Sequence, residues 1–179
     1  MMESLAIWFK AAGSVLVLAA GGAGGWIIAR GYQDRPAELR ALRQALAGLR
    51  TEILYRSASL GQAWSEVARR TPSPVNRLFA HAADSLEKGE AGNAYSAWEK
   101  GIDALAADSS LSQSDLELLR ALGQGLGNSG RDGQEHVLAL ADQELLAAEA
   151  AADAEREKNA RLWQYLGLAL GASIVLLLI

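Results

Sequence analysis

The chain has 179 residues, half of them hydrophobic, no cysteine and a net charge of −4. This length allows one domain of ordinary size, and the lack of cysteine excludes a disulfide framework, thiol catalysis and cysteine metal sites. The acidic balance, with no finger spacing and no glycine-flanked aromatic strand motif, argues against nucleic-acid binding.

Charge divides the chain into three parts. Of its 17 Lys/Arg and 21 Asp/Glu, all but Lys10 and Glu3 lie between Arg30 and Arg161. The domains expected are therefore an N-terminal transmembrane helix at 1–29, a water-facing helical domain at 30–161 and a C-terminal transmembrane helix at 162–179. Arg30 to Arg77 holds nine arginines against Asp34, Glu38, Glu52 and Glu66, whereas Leu78 to Arg161 is strongly acidic. Ala and Leu dominate and β-branched residues are scarce, so the fold expected is all-α. It is a bundle of about six helices flanked by two terminal transmembrane helices, with the last helix continuous with the C-terminal span.

The first apolar segment, Leu5 to Ile28, is interrupted only by Lys10. Its uncharged core, like Leu162 to Ile179, would rise about 27 Å as a helix, close to the thickness of a bilayer's hydrocarbon core. Arg30 follows at once and no small-x-small cleavage step precedes it, which favours a retained anchor over a secretory signal. Arg30, Arg35, Arg40 and Arg43 follow the first segment, and Arg156, Lys158 and Arg161 precede the second. These charges place the middle domain in the cytoplasm and both termini outside. Gly21 and Gly25, and Gly167 and Gly171, form small-x3-small pairs suited to close helix packing or to ordinary lipid-embedded helices.

Within the middle domain, Asp34 or Arg35 with Pro36 opens a helix. Its apolar residues Leu39, Leu42, Leu46, Leu49 and Ile53 alternate three and four apart, a heptad-like stripe of coiled-coil type. A short helix around Leu60, Trp64, Val67 and Ala68 is closed by Thr71-Pro72-Ser73-Pro74. Val75, Leu78, Phe79, Ala82 and Leu86 form the next face, and a turn at 88–93 leads to Tyr95, Trp98, Ile102 and Leu105. Ser112 or Ser114 caps a helix carrying Leu116, Leu119, Leu122 and Leu126, with Ser112-x-x-Asp115 as a capping pair. GQGLGNSGRDG (123–133) reads as a tight helix–turn–helix corner, with glycines, Gly123 and Gly127 among them, for positive φ and close approach, Asn128 and Asp132 as caps and Gln134 in the next first turn. From Asp132 to Ile179 no proline intervenes, and one helix of about 48 residues running from the domain into the membrane is expected.

His81 and His136 have no second ligand at useful spacing, and the glycine-rich corner follows a helix instead of a strand and lacks Gly-Lys-Ser/Thr. Neither catalytic residue, cofactor nor metal site is expected, and the chain reads as a non-enzyme.

In their order and spacing the segments RPAELRALRQALAGLRTEILYRSASLGQAW (Arg35–Trp64), NRLFAHAADSLEKGEAGNAYSAWEKGID (Asn76–Asp103) and LRALGQGLGNSGRDGQEHVLAL (Leu119–Leu140), set between two apolar ends, resemble the stage III sporulation protein AB family of endospore-forming bacteria. Leu122-Gly123, Leu126-Gly127, Asp132 and Gln134 form its central signature. The resemblance implies a membrane platform in the channel-like, secretion-like complex between mother cell and forespore, with the domain on the mother-cell side of the outer forespore membrane. It implies a domain like the cytoplasmic domain of the type II secretion and type IV pilus platform protein. The partners implied are other stage III sporulation proteins, above all a cytoplasmic secretion-type ATPase; the apolar ends add membrane lipid, and the single domain with two spans favours a homo-oligomer or help from another subunit. The basic face of Arg40, Arg43 and Arg50 is the expected partner contact. Having one domain and two spans, the chain departs from the duplicated platform pattern, and a small two-span adaptor unrelated to secretion is the alternative.

Overall fold

Among the described residues, six helices and no strand appear, joined by links whose sequences stop a helix. The computed structural model describes residues 34–56, 58–128 and 131–178, with side chains outside the description at 127–132, 160–161 and 163–178. Helix α1 spans residues 34–54, and its stripe Leu39, Leu42, Leu46, Leu49 and Ile53 is buried throughout. The heptad-like spacing thus delivers one side of the helix to the core.

Helix α2, Leu60–Arg70, starts from a capping box in which Ser59 Oγ accepts from the Gln62 N–H and Gln62 Oε1 accepts from the Ser59 N–H. It stops at Thr71, whose hydroxyl donates to the Val67 carbonyl at 2.8 Å, and Pro72 and Pro74 follow. Helix α3 is Asn76–Glu87; after it Gly89 turns the chain at φ +68°, a conformation glycine adopts without penalty. Helix α4, Ala94–Ala106, is capped by Asn93, whose side chain accepts from the Ser96 N–H at 2.8 Å. Helices α5, Gln113–Asn128, and α6, Arg131–Leu178, complete the chain. As expected, the last helix runs unbroken through 48 residues, about 72 Å.

Each helix from α2 to α6 packs on the next. At the centre Trp98 packs against Trp64 with the rings tilted by 36° and meets Phe79 edge-on, with ring centroids 5.6 Å apart in both pairs. The Trp98 indole N–H donates to the Leu119 carbonyl at 2.7 Å, which ties α4 to α5.

The glycine-rich stretch differs from expectation. Gly123, Gly125 and Gly127 lie inside α5, and the corner falls between Asn128 and Arg131. Close packing is the reason. A Cβ at Gly123 would collide with the Trp98 ring, and one at Gly125 would come within 2.6 Å of the Val137 side chain on α6. These glycines let neighbouring helices approach and do not turn the chain.

No helix among the described residues is long and apolar enough to cross a membrane. The expected first span, with Gly21 and Gly25, lies outside the described residues. The backbone of α6 continues to Leu178, but the side-chain packing expected around Gly167 and Gly171 lies outside them too.

Candidate functional site

Beside its leucine stripe α1 presents Arg35, Arg40, Arg43 and Arg50, and α6 presents Glu135, Asp142, Glu149 and Asp153. The spacing of seven between Arg43 and Arg50, and again along Glu135, Asp142 and Glu149, returns each group to the same side of its helix every second turn. The two helices lie antiparallel: as the α1 residue advances from 35 to 50, its α6 partner retreats from 155 to 135.

Glu149 is the centre of this seam. It is 9% exposed and accepts from Arg40 Nε at 2.8 Å and Arg43 Nη1 at 2.9 Å. The Arg43 hydrogen bond, helped by Arg40, holds its carboxyl below the usual carboxylate range against the opposing effect of desolvation. Arg43 also donates to Asp142 at 3.0 Å, and Glu149 and Asp142 together raise its guanidinium pKa. Arg40 reaches Asp153 at 3.3 Å, and Arg50 forms a close pair with Glu135.

The seam ends in a more buried knot. Arg35 forks onto Asp115 of α5, with Nε and Nη2 at 2.8 and 3.1 Å from its two oxygens, and reaches Glu155 at 3.1 Å through Nη1. Asp115, 2% exposed, also closes the expected capping pair: it accepts from the Ser112 N–H at 2.8 Å while its own N–H donates to Ser112 Oγ at 3.2 Å. Burial pushes the Asp115 carboxyl up, but the hydrogen bonds from Arg35 and Ser112 outweigh it and the net shift is down. Nearby, Glu38 is 7% exposed and accepts from the Ser110 N–H at 2.9 Å. Its burial raises its pKa.

The structure brings Arg40, Arg43 and Arg50 to one surface and engages all three with α6. This surface carries carboxylates interleaved with the arginines and is not a bare basic patch. The residues that sequence reasoning missed are the carboxylates; the seven-residue repeat of Glu135, Asp142 and Glu149 was the available signal. Between the rows runs an open groove floored by Leu46, Ala47, Leu138 and Ala139, with Tyr55, 83% exposed, at one end.

At the α5–α6 corner the Gln134 side-chain amide donates to the Leu126 carbonyl at 3.1 Å, tying α6 to the end of α5. Asn128 closes α5 and Asp132 stands in the first turn of α6, with side chains outside the described residues. His81 and His136 are exposed. Among the described residues no group of three or more His, Asp or Glu is placed to hold a metal.

Comparison with known proteins matches these features to one family. Residues 10–179 match the family model for stage III sporulation protein AB. Stage III sporulation protein AB of Bacillus subtilis (strain 168) is 34% identical over 169 residues, covering 94% of this chain and 98% of the relative. A solved structure of a stage III sporulation protein AB, also 34% identical, superposes with a TM-score of 0.65 over 70% of this chain and 98% of that one. The family match over residues 10–179 and the 34% identity over nearly the full length of both chains establish that the chain belongs to the stage III sporulation protein AB family.

Proposed function

We propose that this protein is a non-enzymatic, membrane-anchored platform of the stage III sporulation complex. Its helical domain stands on the cytoplasmic side and contacts other complex proteins, among them a cytoplasmic secretion-type ATPase. The observation that carries the reading is the antiparallel seam. Arg35, at the start of α1, lies beside Glu155 of α6, so the chain entering α1 and the chain leaving along α6 do so from the same end of the bundle. Among the described side chains the last buried residue of α6 is Ala152, and the helix continues 26 residues further, about 39 Å. Two apolar terminal segments leaving one end suit a single membrane on that side, and the flanking arginines orient it. A clamp between the start of α1 and α6 suits a platform, because it ties together the two places where the chain passes towards its apolar ends.

The face of Arg40, Arg43 and Arg50 remains the proposed contact for the ATPase, shared with the acidic row of α6. Detergent-solubilised full-length protein should co-purify with the ATPase, and joint charge reversal at the three arginines should weaken capture at least tenfold. Glu149→Gln loosens the same seam without touching an arginine. Capture that falls equally in both variants assigns the effect to the seam, and unchanged capture in the arginine variant overturns the contact.

A further inference from the structure

Four carboxylates are buried among the described residues, and three of them hold arginines. Arg35 forks onto Asp115, Arg40 and Arg43 share Glu149, and Arg56 and Arg70 lie 3.4 and 3.7 Å from Glu52. Glu38 is the fourth, and among the described residues no Lys or Arg pairs with it. Its one side-chain hydrogen bond brings the Ser110 N–H to Oε2 and leaves Oε1 without a partner. Burial raises its pKa, the Ser110 N–H opposes this, and the like charges of Asp34 and Asp115 add to the rise. Buried charges in proteins are ordinarily paired, and this one is the exception.

Glu38 lines an open cavity of about 410 Å³ between the first two turns of α1, the α2–α3 link at 72–75 and the α4–α5 link. Ala37, Ala41 and Pro74 give the cavity an apolar side, and Asp34 and Asp108 line it with Glu38. Asp108 is paired with Arg77, whereas Asp34 is exposed and has no ion pair among the described residues. These carboxylates do not converge as metal ligands do, since no group of three is placed to hold a metal ion among the described residues. One buried carboxylate beside an apolar wall suits a cation carried on an apolar stem, which is the build of a lysine or arginine side chain.

We propose that this cavity receives a lysine or arginine side chain from the membrane-flanking segment of a neighbouring membrane protein, with Glu38 as its counter-ion. The incoming N–H groups donate to Glu38 Oε1 and to the exposed carboxylate of Asp34. The cavity selects the chemistry of the occupant, and its place in the bundle selects the source. Asp34 adjoins Arg35, which lies beside Glu155 at the end from which both apolar segments leave. The source therefore rests on the anchoring reading above. Segments that flank a membrane on its cytoplasmic side are rich in Lys and Arg, so basic side chains are what a neighbour presents at this height. The contact is separate from the Arg40, Arg43 and Arg50 face and opposite to it in sign.

The probe is the peptide acetyl-Ala-Arg-Ala-amide, titrated by calorimetry into the full chain in detergent, against the same peptide carrying citrulline, which keeps the shape and removes the charge. The arginine peptide should bind at least tenfold more tightly. Glu38→Gln, which keeps an acceptor for the Ser110 N–H, should abolish the preference without lowering the thermal midpoint. Glu117→Gln, an exposed carboxylate of α5 with the same change in net charge, should keep it. Equal binding of the two peptides overturns the site, and a preference that emerges only in Arg30→Gln gives the cavity to the chain's own arginine and overturns the neighbour. In membranes, a benzophenone amino acid in place of the exposed Ala37 should crosslink the chain to another membrane protein, at least tenfold less when combined with Glu38→Gln. The crosslinked peptide should carry Lys or Arg beside an apolar span. Crosslinking only to a second copy overturns the proposal, as does spermidine binding as tightly as the arginine peptide with no crosslink to protein. Alkaline extraction tests the anchoring reading separately: a chain that stays in the membrane without preferring arginine loses the site and keeps the anchor.

Discussion

Arg35 and Asp115 are 80 residues apart in sequence and joined by two parallel hydrogen bonds of 2.8 and 3.1 Å, on a carboxylate that also caps α5. One buried group thus starts a helix and clamps another to it. Asp115→Ala leaves Arg35, whose side chain is 17% exposed, without its main partner and removes the cap. The expected loss is about 3–5 kcal/mol, against about 0–1 kcal/mol for Glu155→Ala, whose side chain is 56% exposed. Denaturant titration of the full chain in detergent measures both; equal losses would remove the special status of Asp115.

Acid should loosen the seam. Asp115 and Glu149 titrate lower in the folded chain than in the unfolded one, so their contribution is complete above their ordinary range of about 4 and is lost as pH falls through the folded values. Glu38 has the opposite sign: its raised value makes the folded state take up a proton more readily, which offsets part of that loss. Thermal midpoints recorded from pH 7 to pH 3 should therefore fall, and Glu149→Gln should flatten the fall while costing about 1–2 kcal/mol at pH 7. An acid limb of unchanged steepness in this variant would dissociate the effect from Glu149.

Close approach between helices gives a test by alanine. A Cβ at Gly101 would overlap the backbone carbonyl of Leu78, which cannot move aside as a side chain can. Gly101→Ala is expected to destabilise by about 1–3 kcal/mol despite alanine's better helix propensity. Gly92→Ala, with nothing within 4 Å of the new methyl, should stay within about 0.5 kcal/mol of the parent. Thermal unfolding of the two variants side by side decides this.

Trp98→Phe keeps most of the ring packing and removes the hydrogen bond to the Leu119 carbonyl. A loss of about 1–2 kcal/mol is expected. Trp98→Ala, which opens a cavity between Trp64 and Phe79, should cost about 3–5 kcal/mol. A similar loss in both would assign the whole effect to the indole N–H.

The helices themselves were readable in sequence, because a helix records its core-facing side in its own period. Leu39, Leu42, Leu46, Leu49 and Ile53 marked α1, the Pro72 and Pro74 breaker closed α2, and the proline-free run after the corner marked α6 as one helix of 48 residues. Gly123 misled for a local reason. A glycine at a turn and a glycine under a tryptophan look alike until the tryptophan is in place.

The sequence by itself determined that the chain is helical, where its helices stop and that two apolar ends bracket a charged domain, since periodicity, caps and breakers act over a few residues. Only the tertiary structure decided that Arg40 and Arg43 share Glu149, that Arg35 holds Asp115 and that the leucines at 140 and 146 face outward. Those relationships join residues 80–109 apart or depend on which side of α6 its neighbours occupy, and both follow from how α1 sets against α5 and α6, which no local pattern encodes.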